Sequence, residues 1–106
     1  RDLVSGIPKT IDIRSDEIRQ ALKDPVKRIL DVIKDALEAT PAELSSDIID
    51  RGIVLAGGGS QLRGLDQVLR EKTGVPVNVA DEPHLAIVKG CGAVIEDLEK
   101  FKHVLL

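Results

Sequence analysis

Apolar positions along this chain fall into two rhythms, one with the period of a helix and one with that of a strand. Val26, Ile29, Leu30, Ile33, Ala36 and Leu37 return every three or four residues, with Lys27, Arg28, Asp31, Lys34, Asp35 and Glu38 between them. That stripe predicts an amphipathic helix laid on a sheet face. Upstream, Ser15 reads as an N-cap, Asp16 and Glu17 fall in the first helical turn, and Ile18 and Leu22 share a face. Pro25 lacks an N–H and suits only the first turn of a helix. The pattern therefore predicts a short helix over about 15–23, then a longer one with Asp24 as cap and Pro25 as its first residue. Thr40-Pro41 ends it, and residues 42–50 read as a helical turn and connector.

Residues 53–56 are a short β-branched run, predicted as a strand, that stops at three glycines. Leu62, Leu65, Val68 and Leu69 then form a helical stripe directly after the glycines, closed by Thr73-Gly74. Residues 75–79 alternate as a second strand, placed near an edge by Pro76, which cannot donate to a ladder. Strand, helix, strand is a βαβ unit over 51–80 with a parallel pair. Asp81-Glu82-Pro83 opens a last helical region toward residue 98, with a less regular tail over 101–106. Residues 1–14 read as a β-ribbon turning at Ser5-Gly6-Ile7-Pro8. The fold class is α/β, a small sheet with packed helices.

Composition narrows the functions. Phe101 is the lone aromatic in 106 residues, so the core is aliphatic and the stacking platforms of single-strand nucleic-acid binders are missing. A net charge of −3 supplies no basic field for nucleic acid or an anionic lipid surface. Cys91 is the only cysteine, which rules out an internal disulfide. Its apolar, glycine-rich surroundings predict a buried structural thiol. His84 and His103 lie far apart in sequence, and no residues stand at metal-ligand spacing. No apolar run approaches the ~20 residues of a membrane span, and no signal-peptide pattern is present. The chain opens on Arg1 and holds no methionine, so it is expected to be an excised or processed piece of one domain.

The candidate chemistry lies in Gly57-Gly58-Gly59-Ser60-Gln61, between strand and helix. Such a corner offers backbone N–H groups at a positive helix end, which suits a phosphate or another anion. A tight turn needs one glycine, whereas three in a row lose backbone entropy on folding. Close approach of a ligand to the main chain accounts for the other two. A Walker A loop is excluded, because Leu65-Asp66 stands where Lys-Ser/Thr is required. The dinucleotide pattern fits at Gly57 and Gly59 and fails at Leu62, where its third glycine belongs. A free-standing phosphate-ligand module and a dinucleotide-enzyme fragment both stay open at this point. Neither a Ser–His–Asp nor a Cys–His arrangement is suggested, so no catalytic residue is assigned. Arg63 and Arg70 lie on the polar side of the helix and read as solvated.

Residues 50–66, from Asp50-Arg51-Gly52 through the glycines to Gly64-Leu65-Asp66, resemble the adenosine motif of the actin/Hsp70/sugar-kinase superfamily. Within it the chain is most similar to MreB-type bacterial actins. Arg1-Asp2-Leu3-Val4-Ser5-Gly6-Ile7-Pro8-Lys9, Thr40-Pro41-Ala42-Glu43-Leu44, Thr73-Gly74-Val75-Pro76-Val77 and Gly90-Cys91-Gly92-Ala93 carry the same resemblance. It implies a ribonuclease-H-like actin-fold lobe, of which residues 1–106 would be the C-terminal IIA-like subdomain. It implies ATP or ADP with Mg²⁺ as cofactor, contacted by Gly57, Gly58, Gly59, Ser60 and Gln61. It also implies self-association into filaments and partners among cell-shape and wall-synthesis proteins. The filaments would lie in the cytoplasm on the membrane, held through parts absent here, and would have no nucleic-acid partner. The family hydrolyses ATP slowly. Its phosphate loops and catalytic groups have no match in this chain, which is expected to be inactive alone.

Overall fold

In the computed structural model, which describes residues 1–105, helices α1 (Ser15–Glu38) and α2 (Ala42–Arg51) lead into strand β1 (Ile53–Leu55). A 3-10 turn over Gly58–Gln61 follows, then α3 (Leu65–Thr73), β2 (Val77–Val79), α4 (Ala86–Glu96) and the single turn α5 (Leu98–Phe101). Leu106, the last residue of the expected tail, lies outside the described residues.

The two strands are parallel, with Ile53 opposite Val77, Val54 opposite Asn78 and Leu55 opposite Val79. Ile53 N–H donates to Pro76 O at 2.7 Å, and Ala80 N–H to Leu55 O at 2.9 Å. Pro76 thus enters the ladder through its carbonyl, and its missing donor costs nothing. Side chains alternate along a strand. Ile53, Leu55 and Val77 point to α1 and α3, while Val54 faces the other way and is 66% exposed. Leu69 and Val77 are fully buried, and Leu30 and Leu65 close over them. α3 is also tied to β2 by Arg70, whose Nη2 donates to Val77 O at 2.8 Å and reaches Asp66 at 3.4 Å. Arg70 is exposed, in keeping with a solvated face, while its guanidinium also completes a strand carbonyl.

Three expectations fail here. α1 runs unbroken through Pro25 instead of dividing at Asp24. The proline removes one bond, to Ala21 O, and both residues are exposed, which leaves that carbonyl open to solvent. Partly buried Leu22, Val26, Ile33 and Leu37 carry one stripe across the break, and their packing outweighs the local penalty. The N-cap is Arg14 rather than Ser15, with Arg14 N–H donating to Glu17 Oε2 at 2.7 Å. Residues 1–14 form no ribbon. Gly6 N–H donates to Asp2 O and Asp2 N–H to Ile7 O, making a turn, but residues 10–13 have no strand to pair with. In that turn Ser5 Oγ and Val4 N–H donate to the Asp2 carboxylate, holding it below the ordinary carboxylate value. Those bonds are in place above the unfolded value and are lost as pH falls through the lowered one.

The last helical region divides. Pro83–Leu85 is a 3-10 turn, α4 starts at Ala86, and Asp97 (φ −141°, ψ 67°) separates α4 from α5. Cys91 is exposed rather than buried, because α4 packs on that 3-10 turn and on α5, away from the sheet. The radius of gyration is 19.4 Å, against about 13 Å for a compact domain of this length. Leu3, Val4, Ile87 and Ile95 stand largely in solvent as a result.

The core is thin, so truncating its centre is expected to be severe. Leu69→Ala removes a side chain that is 1% exposed and should cost about 2–5 kcal/mol, read as a lowered denaturant midpoint with an unchanged slope. A loss under about 1 kcal/mol would mean that Leu69 is not central.

Candidate functional site

The glycine turn is held at both ends of β1. Upstream, Gly52 links α2 to the strand with φ +83°, a left-handed value. A Cβ there would stand 2.5 Å from Pro76 O and 2.9 Å from Pro76 Cβ. Glycine is required twice over, by backbone conformation and by the closeness of β2. Downstream, Gly57 (φ +84°) donates its N–H to Pro83 O at 2.7 Å. That bond seats the turn against the Pro83–Leu85 segment. Just before it Glu82 adopts φ +43°, unusual for a residue with a side chain, and pairs with Lys89 on α4. Asp81-Glu82-Pro83 does open the last helical region, as a 3-10 turn over Pro83–Leu85, with α4 following from Ala86.

Ser60 is turned inward and only 7% exposed, with Oγ donating to Gly57 O at 2.7 Å. Its N–H donates to the same oxygen at 3.2 Å. The hydroxyl thus closes the turn and is not offered outward. The N–H groups of Gly58 and Gly59 make no hydrogen bond among the described residues. Beyond the immediate chain neighbours and the turn's own backbone, no atom of the described residues lies within 4 Å of where a Cβ would stand at Gly57, Gly58 or Gly59. Two unpaired N–H groups thus stand side by side on the turn, at residues where an added Cβ would meet open space. Gln61 is exposed beside them.

The helix does not begin at the glycines as expected. Leu62 is extended (φ −59°, ψ 119°) and Gly64 is left-handed (φ +81°), so α3 starts only at Leu65. An extended residue cannot continue a helical ladder. The free donors here are accordingly those of the turn itself, and the positive end of the α3 dipole lies farther off. Sequence reasoning found residues 57–61 as a group. It missed Pro83 and Glu82, because their link to the turn crosses α3 and β2 and leaves no local signal. None of the five turn residues carries a carboxylate. Their unpaired N–H groups suit an anionic oxygen.

A strand, a glycine turn and a helix on a small parallel sheet recur in solved structures. The chain matches the crystal structure of MreB5 of Spiroplasma citri bound to ADP with a TM-score of 0.86 at 33% identity. That match covers 97% of this chain and 31% of the other. The structure of the same protein bound to AMPPNP matches with a TM-score of 0.86 at 33% identity, over 99% of this chain and 32% of the other. The fold is therefore part of an actin fold. The family model for MreB/Mbl protein matches residues 1–103. Over 100 residues the chain is 47% identical to the cell shape-determining protein Mbl of Bacillus subtilis (strain 168), covering 94% of itself and 30% of Mbl. Against the cell shape-determining protein MreB of Escherichia coli (strain K12) it is 43% identical over 99 residues, 93% of itself and 28% of MreB. The chain belongs to the MreB/Mbl family and spans about 30% of the length of these relatives.

The glycines divide by what they serve, and stability measurements separate them. Gly52→Ala should cost about 2–4 kcal/mol, from a strained φ and a clash with Pro76 backbone. Gly58→Ala and Gly59→Ala should change stability by no more than about 1 kcal/mol, and a gain is as acceptable as a loss. Equal losses at all three positions would contradict this division.

Proposed function

We propose that this chain is the nucleotide-contacting C-terminal subdomain of a cell shape-determining bacterial actin. In this reading residues 57–61 form one wall of an ATP/ADP site. The observation that carries it is the pair of free N–H groups at Gly58 and Gly59, with open space where side chains would stand. Backbone donors unhindered by a Cβ suit the sugar hydroxyls or phosphate oxygens of a nucleotide. Support also comes from the matched Spiroplasma citri structures, which hold ADP and AMPPNP. Gly57 and Ser60 shape this wall, and Gly58, Gly59 and Gln61 face the ligand.

The rest of the reading belongs to a protein of family length. There the nucleotide would lie between two lobes, with Mg²⁺ carried by its phosphates and by groups outside these residues. Filaments would assemble under the cytoplasmic membrane and guide wall synthesis. Hydrolysis needs a positioned water and charge-stabilising groups from both sides of the nucleotide. This chain supplies one side only, so alone it should not turn ATP over. A free-standing phosphate module and a dinucleotide enzyme gain no support from relatives that are cell shape-determining proteins.

The test uses a chimera of family length, with these residues replacing the matching segment of the Bacillus subtilis relative. Calorimetric titration with ADP and Mg²⁺ should show Gly59→Val weakening binding by about tenfold or more, while the melting temperature without nucleotide stays within a few degrees. Unchanged affinity would remove the turn from the site. No detectable binding by the parent chimera under conditions where the Bacillus relative binds would contradict the proposal as a whole.

A further inference from the structure

An open groove of about 1320 Å³ runs between α1 and α3, and it shares only Gln61 with the glycine turn. Ile18, Leu22, Val26 and Leu30 line the α1 wall at four-residue spacing. Leu62, Leu65 and Val68 line the other at three-residue spacing. The four-residue spacing puts the α1 set on a single ridge, while the facing wall joins Leu65 and Val68 of α3 to Leu62 in the extended link before it. The inner end closes where Leu30 and Leu65 enter the core. Toward the outer end Ile18 is 51% exposed and Leu62 41%. With a rise of about 1.5 Å per residue over positions 15–30, the trough is roughly 22 Å long. That is the footprint of a four-turn helix.

The rim has the opposite charge to the rest of the molecule. Arg19, Lys23, Lys27, Arg63 and Lys72 stand around the groove against two acids, Asp24 and Glu71. Five cations less two anions is +3, in a chain whose net charge is −3. None of the five belongs to an ion pair among the described residues, where the pairs are Asp66–Arg70 and Glu82–Lys89. Unpaired cations above an apolar trough are complementary to a helix with an apolar stripe flanked by carboxylates.

We propose that this groove docks an acidic amphipathic helix of a partner protein. An anionic membrane fits less well, because here the apolar side chains line a concavity between two elements instead of a single outward face. A second copy fits less well too. Its acidic helix is α2, with Glu43, Asp47 and Asp50, but exposed Leu44 and Ile49 stand about 140° apart around its axis. They form no stripe, and Ile48 is engaged in a separate cleft with Leu37 and Val75.

The probe is a labelled helical peptide of about 16 residues, with leucines at i, i+4, i+7 and i+11 and glutamates beside them. Fluorescence anisotropy compares it with a lysine-flanked version and a scrambled glutamate peptide, on this chain and on the chimera, without nucleotide. The glutamate helix should bind both proteins at least tenfold more tightly than either control, shifting amide resonances at residues 18–30 and 62–68. Lys23→Glu with Lys27→Glu, both exposed, should transfer the preference to the lysine-flanked helix. Lack of discrimination among the peptides would overturn the proposal. So would phosphatidylglycerol vesicles, or self-association of the chain, occupying the groove in place of the peptide. Binding to this chain that vanishes in the chimera would also overturn it, since the rest of the longer protein would then fill the groove.

Discussion

The placement of the glycine turn depends on the pairing of two parallel strands of three residues each. β1 delivers the glycine turn, and β2 fixes where β1 lies. The pairing is held outside the strands as much as within them. At one end Ile53 N–H reaches Pro76 O, an approach that only glycine at position 52 permits. At the other, Ala80 N–H reaches Leu55 O and Gly57 N–H reaches Pro83 O. The turn is therefore clamped by backbone from two directions, and Ser60 closes it from inside. Donors held this way lose little freedom when a ligand arrives, and a preformed site keeps more of its interaction energy as affinity.

The same pairing explains why so much of the chain is open. A two-stranded sheet has one face for α1 and α3, and the aliphatic core is confined to that face around Leu69 and Val77. The opposite face shows Val54, and α4 stands off the sheet with Ile87, Ile95 and Cys91 exposed. Apolar surface on this scale marks contact with something else. The relatives are more than three times as long as the matched segment, and they supply a natural setting for it.

How much was legible in the sequence follows from how local each signal is. The α1 stripe, the Thr73-Gly74 stop, the parallel unit around α3 and the presence of a turn at the glycines are legible from periodicity and glycine placement. Misreadings came where a nonlocal partner decided. Pro25 reads as a helix start in sequence, because its local cost is visible while the packing of Leu22 and Val26 on either side is not. Residues 10–13 have strand composition and no strand to join. The bond from Ser60 Oγ to Gly57 O leaves no trace in the local sequence. The start of α3 was misplaced because Leu62 fits both a helical stripe and an extended link. Arg70 and Pro83 matter through bonds to Val77 O and Gly57 N–H, which join segments that are far apart in sequence or separated by a turn.

The central claim is that Gly58 and Gly59 hold their N–H groups free for a nucleotide while Gly57 spends its own on Pro83. Amide hydrogen exchange at these three positions, in the chimera of family length with and without ADP and Mg²⁺, tests it most directly. Gly57 should be protected in both states. Gly58 and Gly59 should exchange freely without nucleotide and slow by about tenfold or more when it binds. Exchange at Gly58 and Gly59 that ignores saturating nucleotide, with bound nucleotide verified in the same sample, would contradict the claim.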